Sequence, residues 1–260
     1  MKLPVGTRRV LVTGGGSGIG RAVAERIAAD GGEVVVVGRR AERLEAVRDA
    51  WPGRIHALPC DLADEAQRQG LLERARDLLG GLDGMVHSAG NVVHQAPGRI
   101  DEAALRSQLE LNLVAPLRLG EEALRVLESG GGVVFVASTL AFRPVRTSAA
   151  YSAAKAGLVA AMASLALEGA PRGVRFNAVA PGLVDTEMIH ELRLDPGETM
   201  PTGVEYEERL GAQLEALRGL HPLGRLGKAE DVAAAVVHLL GASWSTGTTL
   251  TIDGGLLLRE

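Results

Sequence analysis

Short β-rich runs alternate with longer helical patterns from one end of this chain to the other, and few architectures accept that order. The strand-like runs fall at residues 10–13, 34–37, 54–58, 84–88, 133–138, 174–179 and 248–252. Amphipathic or apolar helical patterns occupy 18–30, 41–50, 64–79, 101–128, 149–169 and 229–241. Such alternation builds right-handed βαβ units. It predicts an α/β fold, a doubly wound parallel sheet of seven strands with helices on both faces.

The 260 residues, 46% of them hydrophobic, suit a single domain over 1–260, with no repeat or low-complexity linker to divide it. One segment breaks the rhythm. Residues 185–222 carry D-P-G-E-T-M-P-T-G and a Glu-rich helical stretch but no strand, and an insertion of that length predicts a substrate lid.

Composition removes several classes of function. Twenty-eight basic and 32 acidic side chains leave a net charge of -4 with no polybasic block, which argues against a nucleic-acid partner. Cys60 is the only cysteine, so the chain forms no internal disulfide and a reducing cytoplasm is expected. The histidines are scattered without ligand spacing, and no metal is expected. His94 alone falls near a strand's carboxyl end, where substrates bind. The start has no secretory h-region and no apolar run is read as reaching about 18 residues, so no membrane is expected.

The first strand runs straight into V-T-G-G-G-S-G-I-G. The strict G-x-G-x-x-G fingerprint fails, because its third glycine position holds Ile19 after Gly14 and Gly16. The pattern T-G-x-x-x-G-x-G does fit, on Thr13, Gly14, Gly18 and Gly20. Its glycines admit a close backbone approach, and the helix start offers N–H groups to a pyrophosphate. The second strand ends V-V-V-V-G-R-R, where an acid would bind the ribose 2′-hydroxyl of NAD. Arg39 and Arg40 stand there instead, with Ser17 in reach, and they suit the 2′-phosphate of NADP(H). NAD(H) is the alternative if these arginines are merely solvated.

Thirteen positions separate Ser138 from Tyr151, and Lys155 follows one helical turn later. A hydroxyl, a phenol and an ammonium brought together in this way suit acid–base work on a carbonyl. The ammonium is expected to lower the phenol from its ordinary pKa of about 10.

With these motifs in this order, the chain resembles the short-chain dehydrogenase/reductase family, from its first strand to the D-G-G at Asp253. The resemblance implies a Rossmann fold and a catalytic tetrad of Asn112, Ser138, Tyr151 and Lys155. Tyr151 would exchange the proton of a carbonyl or secondary alcohol, Lys155 would hold the nicotinamide ribose, and Ser138 would bond the reacting oxygen. Asn112 would position a water. The resemblance also places cofactor contacts on Ile19, Asp61, Leu62, Ala89, Gly90, Pro181, Gly182, Val184 and Thr186. Where the family has N-N-A-G, this chain reads His87-Ser88-Ala89-Gly90, and weaker cross-linking of the neighbouring strands is expected there.

The segment H-P-L-G-R-L-G-K-A-E-D-V-A is similar to one found in 3-oxoacyl-carrier-protein reductases, and also in sugar, polyol and steroid members. Arg172 would dock an acidic carrier, although a solvated loop is the simpler reading. Helix 149–169 is small or apolar nearly all round, so burial on more than one side is expected, with a second subunit of a homodimer or homotetramer as cover. The expected activity is NADP(H)-dependent reduction of a small-molecule ketone. The alternatives are NAD-dependent alcohol oxidation and a dinucleotide-sensing protein without turnover.

Overall fold

Val34, Val35, Val36 and Val37 are all fully buried, which a strand achieves only inside a sheet covered on both faces. A computed structural model of the chain describes residues 9–96, 98–192 and 198–259. Its strands are Arg9–Thr13 (β1), Glu33–Gly38 (β2), Ile55–Pro59 (β3), Gly84–His87 (β4), Gly132–Val136 (β5), Arg175–Pro181 (β6) and Thr249–Ile252 (β7). They form one parallel seven-stranded sheet in the order β3-β2-β1-β4-β5-β6-β7. This is the doubly wound α/β fold that the alternation predicts.

The helices are Gly18–Ala29 (α1), Ala41–Ala50 (α2), Glu65–Arg68 (α3), Leu71–Leu79 (α4), Glu102–Leu109 (α5), Ala115–Val126 (α6), Ala149–Gly169 (α7), Gly203–Arg218 (α8) and Ala229–Gly241 (α9). Side chains alternate across the sheet, so each strand feeds two cores. Val10, Val12, Val34 and Val36 pack with Val23, Ile27, Leu44 and Val236 of α1, α2 and α9. Leu11, Val35, Phe135 and Phe176 pack with Leu72, Leu119, Leu158 and Leu165 of α4, α6 and α7.

Three helical expectations change. The pattern over 64–79 is broken between α3 and α4, where Gly70 takes the left-handed conformation at φ 68. The pattern over 101–128 is interrupted by a π-helical turn at Glu110–Val114. Pro116 follows it and has no N–H to offer the Asn112 carbonyl four residues earlier, so a regular helix cannot continue through this point. Third, α7 buries Leu158, Met162 and Leu165, while Leu167 on its other side is 77% exposed. Within this chain α7 is covered on one side only.

The reading that no apolar stretch reaches membrane-spanning length also needs correcting. Residues Ala149–Arg172 are long and apolar enough by composition to cross a bilayer. In the fold, the buried side of this stretch packs on the sheet beside Phe135 and Phe176.

Residues 185–222 form a short 3-10 turn at Glu187–Ile189 and then α8, except for 193–197, which lie outside the described residues. Ile189, Leu217 and Leu226 make a small core of their own, separate from the two sheet cores.

Phe135 is fully buried and stacks on Phe176 with ring centroids 6.3 Å apart. Phe135→Ala is expected to lower the urea-unfolding free energy by about 3–5 kcal/mol. A loss under about 1 kcal/mol would contradict this packing.

Candidate active site

β1 passes into α1 through a turn that only glycine can make. Gly14 and Gly18 have φ of 68 and 51, and a Cβ on Gly20 would lie 2.4 Å from the Gly14 carbonyl oxygen. Strand and helix therefore meet backbone to backbone. Ser17 stands at the N-cap of α1, yet its hydroxyl makes no capping bond and the first turn contains no acid. The helix start thus faces the neighbouring cavity with free N–H groups and an uncompensated dipole.

That cavity, of about 680 Å³, lies along the carboxyl ends of the strands. It is lined by Gly14, Gly16, Ser17, Gly18 and Ile19 after β1, by Arg39 and Arg40 after β2, and by Asp61 and Leu62 after β3. Ala89 and Gly90 after β4, Ser138 after β5, and Pro181, Gly182, Val184 and Thr186 at and after the end of β6 complete this wall with Tyr151 and Lys155 of α7.

Three expected site residues stand behind the wall. Gly20 packs against Gly14. Thr13 is fully buried, and its hydroxyl accepts from the Ser88 and Ala89 N–H groups at 3.1 and 3.2 Å and lies 3.1 Å from His87 Nδ1. Thr13 therefore supplies a cross-link between the ends of β1 and β4, where substitution of the family asparagine by Ser88 predicts a weaker one. His87 is buried beside it, and desolvation pushes its pKa down to about 3, which keeps the ring neutral.

Asn112 is the third. It sits fully buried in the π turn, and its Nδ2 donates to the carbonyls of Asn91 and Gln108 at 2.8 and 2.9 Å. Its Oδ1 has no partner and points at Gly90, where an added Cβ would be 2.7 Å from that oxygen and 3.7 Å from Lys155 Nζ. Glycine at this position keeps the space beside Asn112 Oδ1 and Lys155 Nζ free of a side chain.

Ser138, one residue beyond the end of the Ala137–Val179 pairing, caps a 3-10 turn by accepting from the Leu140 N–H at 3.1 Å. Lys155 Nζ donates to the Val136 carbonyl at 2.9 Å and lies 5.6 Å from the Tyr151 ring centroid. Burial pushes Tyr151 up to about 12, against an opposing hydrogen bond from Ser138, and burial pulls Lys155 down to about 8. The expected lowering of the phenol by the ammonium is thus not the state of this site. Burial raises the phenol and Ser138 alone opposes it, although Tyr151 keeps some surface on the cavity.

Sequence reasoning missed residues that reach the cavity from far along the chain. Glu187, just past Thr186, receives Arg43 Nη1 at 2.5 Å and lies 3.7 Å from Arg40 Nη1. Arg40 Nη2 also donates to Ser17 Oγ at 3.4 Å. Leu140, Arg143, Val145, Leu217, Leu256 and Arg259 line the end beyond Tyr151. Contacts between residues 144 apart leave no local signal.

The short chain dehydrogenase family model matches residues 8–197. The chain belongs to the short-chain dehydrogenase family. It is an oxidoreductase of the kind that acts on CH–OH or carbonyl groups with a nicotinamide dinucleotide. The chain is 34% identical to the human 3-oxoacyl-acyl-carrier-protein reductase over 95% of this chain and 97% of that one. It is 37% identical to cis-4-hydroxycyclohexanecarboxylate dehydrogenase of Sinomonas cyclohexanicum, over 95% and 96%. A short chain dehydrogenase from Burkholderia cenocepacia J2315, solved in complex with NADP, superposes with a TM-score of 0.82 at 34% identity, over 96% of this chain and 98% of that one.

The depressed Lys155 makes a prediction for this short-chain dehydrogenase. Its folded value of about 8 lies below the ordinary 10.5, so between those values the unfolded state binds more protons and native stability rises with pH. Relative to Lys155→Met, wild-type unfolding free energy should therefore climb by on the order of 2 kcal/mol from pH 7.5 to pH 10. Parallel denaturation profiles for the two proteins would contradict the desolvated lysine.

Proposed function

We propose that this chain is an NADP(H)-dependent carbonyl reductase whose proton donor is Tyr151. The observation that carries the cofactor choice is the end of β2, where Arg40 donates to Ser17 Oγ at 3.4 Å, Arg39 stands beside it and no carboxylate occupies the position. Two guanidinium groups and a hydroxyl are a charge-assisted donor set for a 2′-phosphate. The rest of the cavity suits a dinucleotide. Gly14, Gly16 and Gly18 keep the floor free of side chains, and Gly90 leaves space in front of the unpartnered Asn112 Oδ1.

When bound, the nicotinamide supplies or accepts the hydride. The protein's part is proton transfer and orientation. Tyr151, protonated across the neutral range because burial raises it, presents an O–H to a substrate oxygen. Ser138 is placed to bond the same oxygen. Lys155, held by the Val136 carbonyl and close to half-charged near pH 8, is the group from which Tyr151 can recover its proton.

NAD-dependent oxidation is the second reading, and Glu187 favours it. Its carboxylate lies 3.7 Å from Arg40 Nη1, where it would oppose a 2′-phosphate. The 3-oxoacyl and hydroxycyclohexanecarboxylate activities in the relatives' names mark the substrate range to test first. For assembly, we propose a homodimer or homotetramer that covers the exposed Ala156, Ala160, Ala163 and Leu167 side of α7. Residues 185–222 are proposed as the substrate lid. The buried, unpaired Cys60 is consistent with a reducing cytoplasm.

Initial rates of NADPH and NADH oxidation with a panel of ketones test the reading. Tyr151→Phe should reduce kcat by about a hundredfold or more, and unchanged turnover would remove the phenol from the chemistry. Arg40→Ala should raise the KM for NADPH about tenfold while leaving NADH within about twofold. A wild-type preference for NADH that survives this substitution would replace NADP with NAD.

A further inference from the structure

Beyond Ser138 and Tyr151 the cavity wall becomes apolar, through Leu140, Val145, Leu217, Leu220 and Leu256. Two guanidinium groups interrupt it, those of Arg143 and Arg259. Among the described residues the only acids on the cavity wall are Asp61 and Glu187. Asp61 follows β3, on the cofactor side, and Glu187 is held by Arg43 at 2.5 Å. Among the described residues, the substrate end is therefore apolar with two cations and no carboxylate on its wall.

The same arginines are incompletely used by the protein. Arg143 Nη1 donates to the carbonyls of Arg259 at 2.6 Å and Leu256 at 3.5 Å, and Arg259 Nη1 donates to the Gly219 carbonyl at 2.6 Å. Each fork is anchored through one nitrogen, to backbone oxygens only. Their other N–H groups have no protein acceptor among the described residues. A fork held by one corner, with its remaining donors at the edge of an apolar pocket, is preorganised for a planar or tetrahedral anion. Position is also fixed relative to the chemistry. The Arg143 backbone N–H donates to the Thr139 carbonyl at 2.9 Å, in the turn that Ser138 begins.

We propose that Arg143 and Arg259 form an anion subsite, so that the preferred carbonyl substrate is an apolar body carrying a carboxylate or phosphate. This deepens the carbonyl-reductase reading and rests on it. The two sources of negative charge are separable by experiment: a carboxylate on the substrate itself, or the phosphate of a phosphopantetheine arm.

The test uses two substrate pairs, a cyclic ketone bearing a carboxylate against its methyl ester, and a 3-oxoacyl 4′-phosphopantetheine against the same thioester of unphosphorylated pantetheine. Wild-type kcat/KM should favour the charged member of one pair by about tenfold or more. In Arg143→Gln and Arg259→Gln that preference should shrink through a higher KM for the charged substrate, with kcat and the neutral partner little changed. Equal treatment of charged and neutral members in both pairs overturns the subsite. So does a parallel loss on both members in the variants, which is what mere stapling of the chain by these arginines would produce. Calorimetric binding of the same pairs to Tyr151→Phe with NADPH present reads the subsite without turnover. A charged-ligand preference there, alongside an inactive wild type, would support the subsite and count against the reductase reading alone.

Discussion

The parting of connections at β1 and β4 is the constraint from which the site follows. These strands are neighbours, yet α1 leaves β1 for one face of the sheet while the chain after β4 leads to helices that pack on the other. A crevice is left between them that no connection covers. Thr13 holds its two edges together from below by accepting both the Ser88 and Ala89 N–H groups. The glycine turn after β1 and the Ala89–Gly90 segment after β4 flank that join.

Much of this was legible in the chain. Strands buried on both faces need β-branched residues, and those runs mark the sheet to within about two residues. The glycine turn and the Ser138, Tyr151 and Lys155 spacing are local patterns, so they could be read before any fold was known. Other features depend on what a pattern meets in space. Pro116 is visible, but the contacts by which Asn91 and Gln108 hold Asn112 in the π turn are not. The Arg43–Glu187 contact joins segments with no shared pattern. The one-sided burial of α7 could not be told from full burial, because its small residues suit either environment.

Proton affinities were the least legible property. Spacing brings an ammonium near a phenol, and charge alone would make that phenol more acidic. Burial of both groups reverses the expectation, since each is driven toward its neutral form. The site as it stands is thus a stored neutral acid beside a cation that gives up its proton with unusual ease.

Arg40 belongs to two partnerships at once, with Ser17 on the glycine turn and with Glu187 at the root of the 185–222 segment. A group with two claimants couples them reciprocally. Whatever anion draws Arg40 toward Ser17 loosens its hold on Glu187, and whatever presses Glu187 against the arginines makes that anion bind less tightly. Both side chains are largely exposed, so the coupling is of order 1 kcal/mol or less and weakens with salt. On the proposed NADP(H) reading, cofactor preference is therefore not a property of the β2 terminus alone. Redesigning it by exchanging Arg40 would also disturb the Glu187 end of the 185–222 segment, and ionic strength would act on both together.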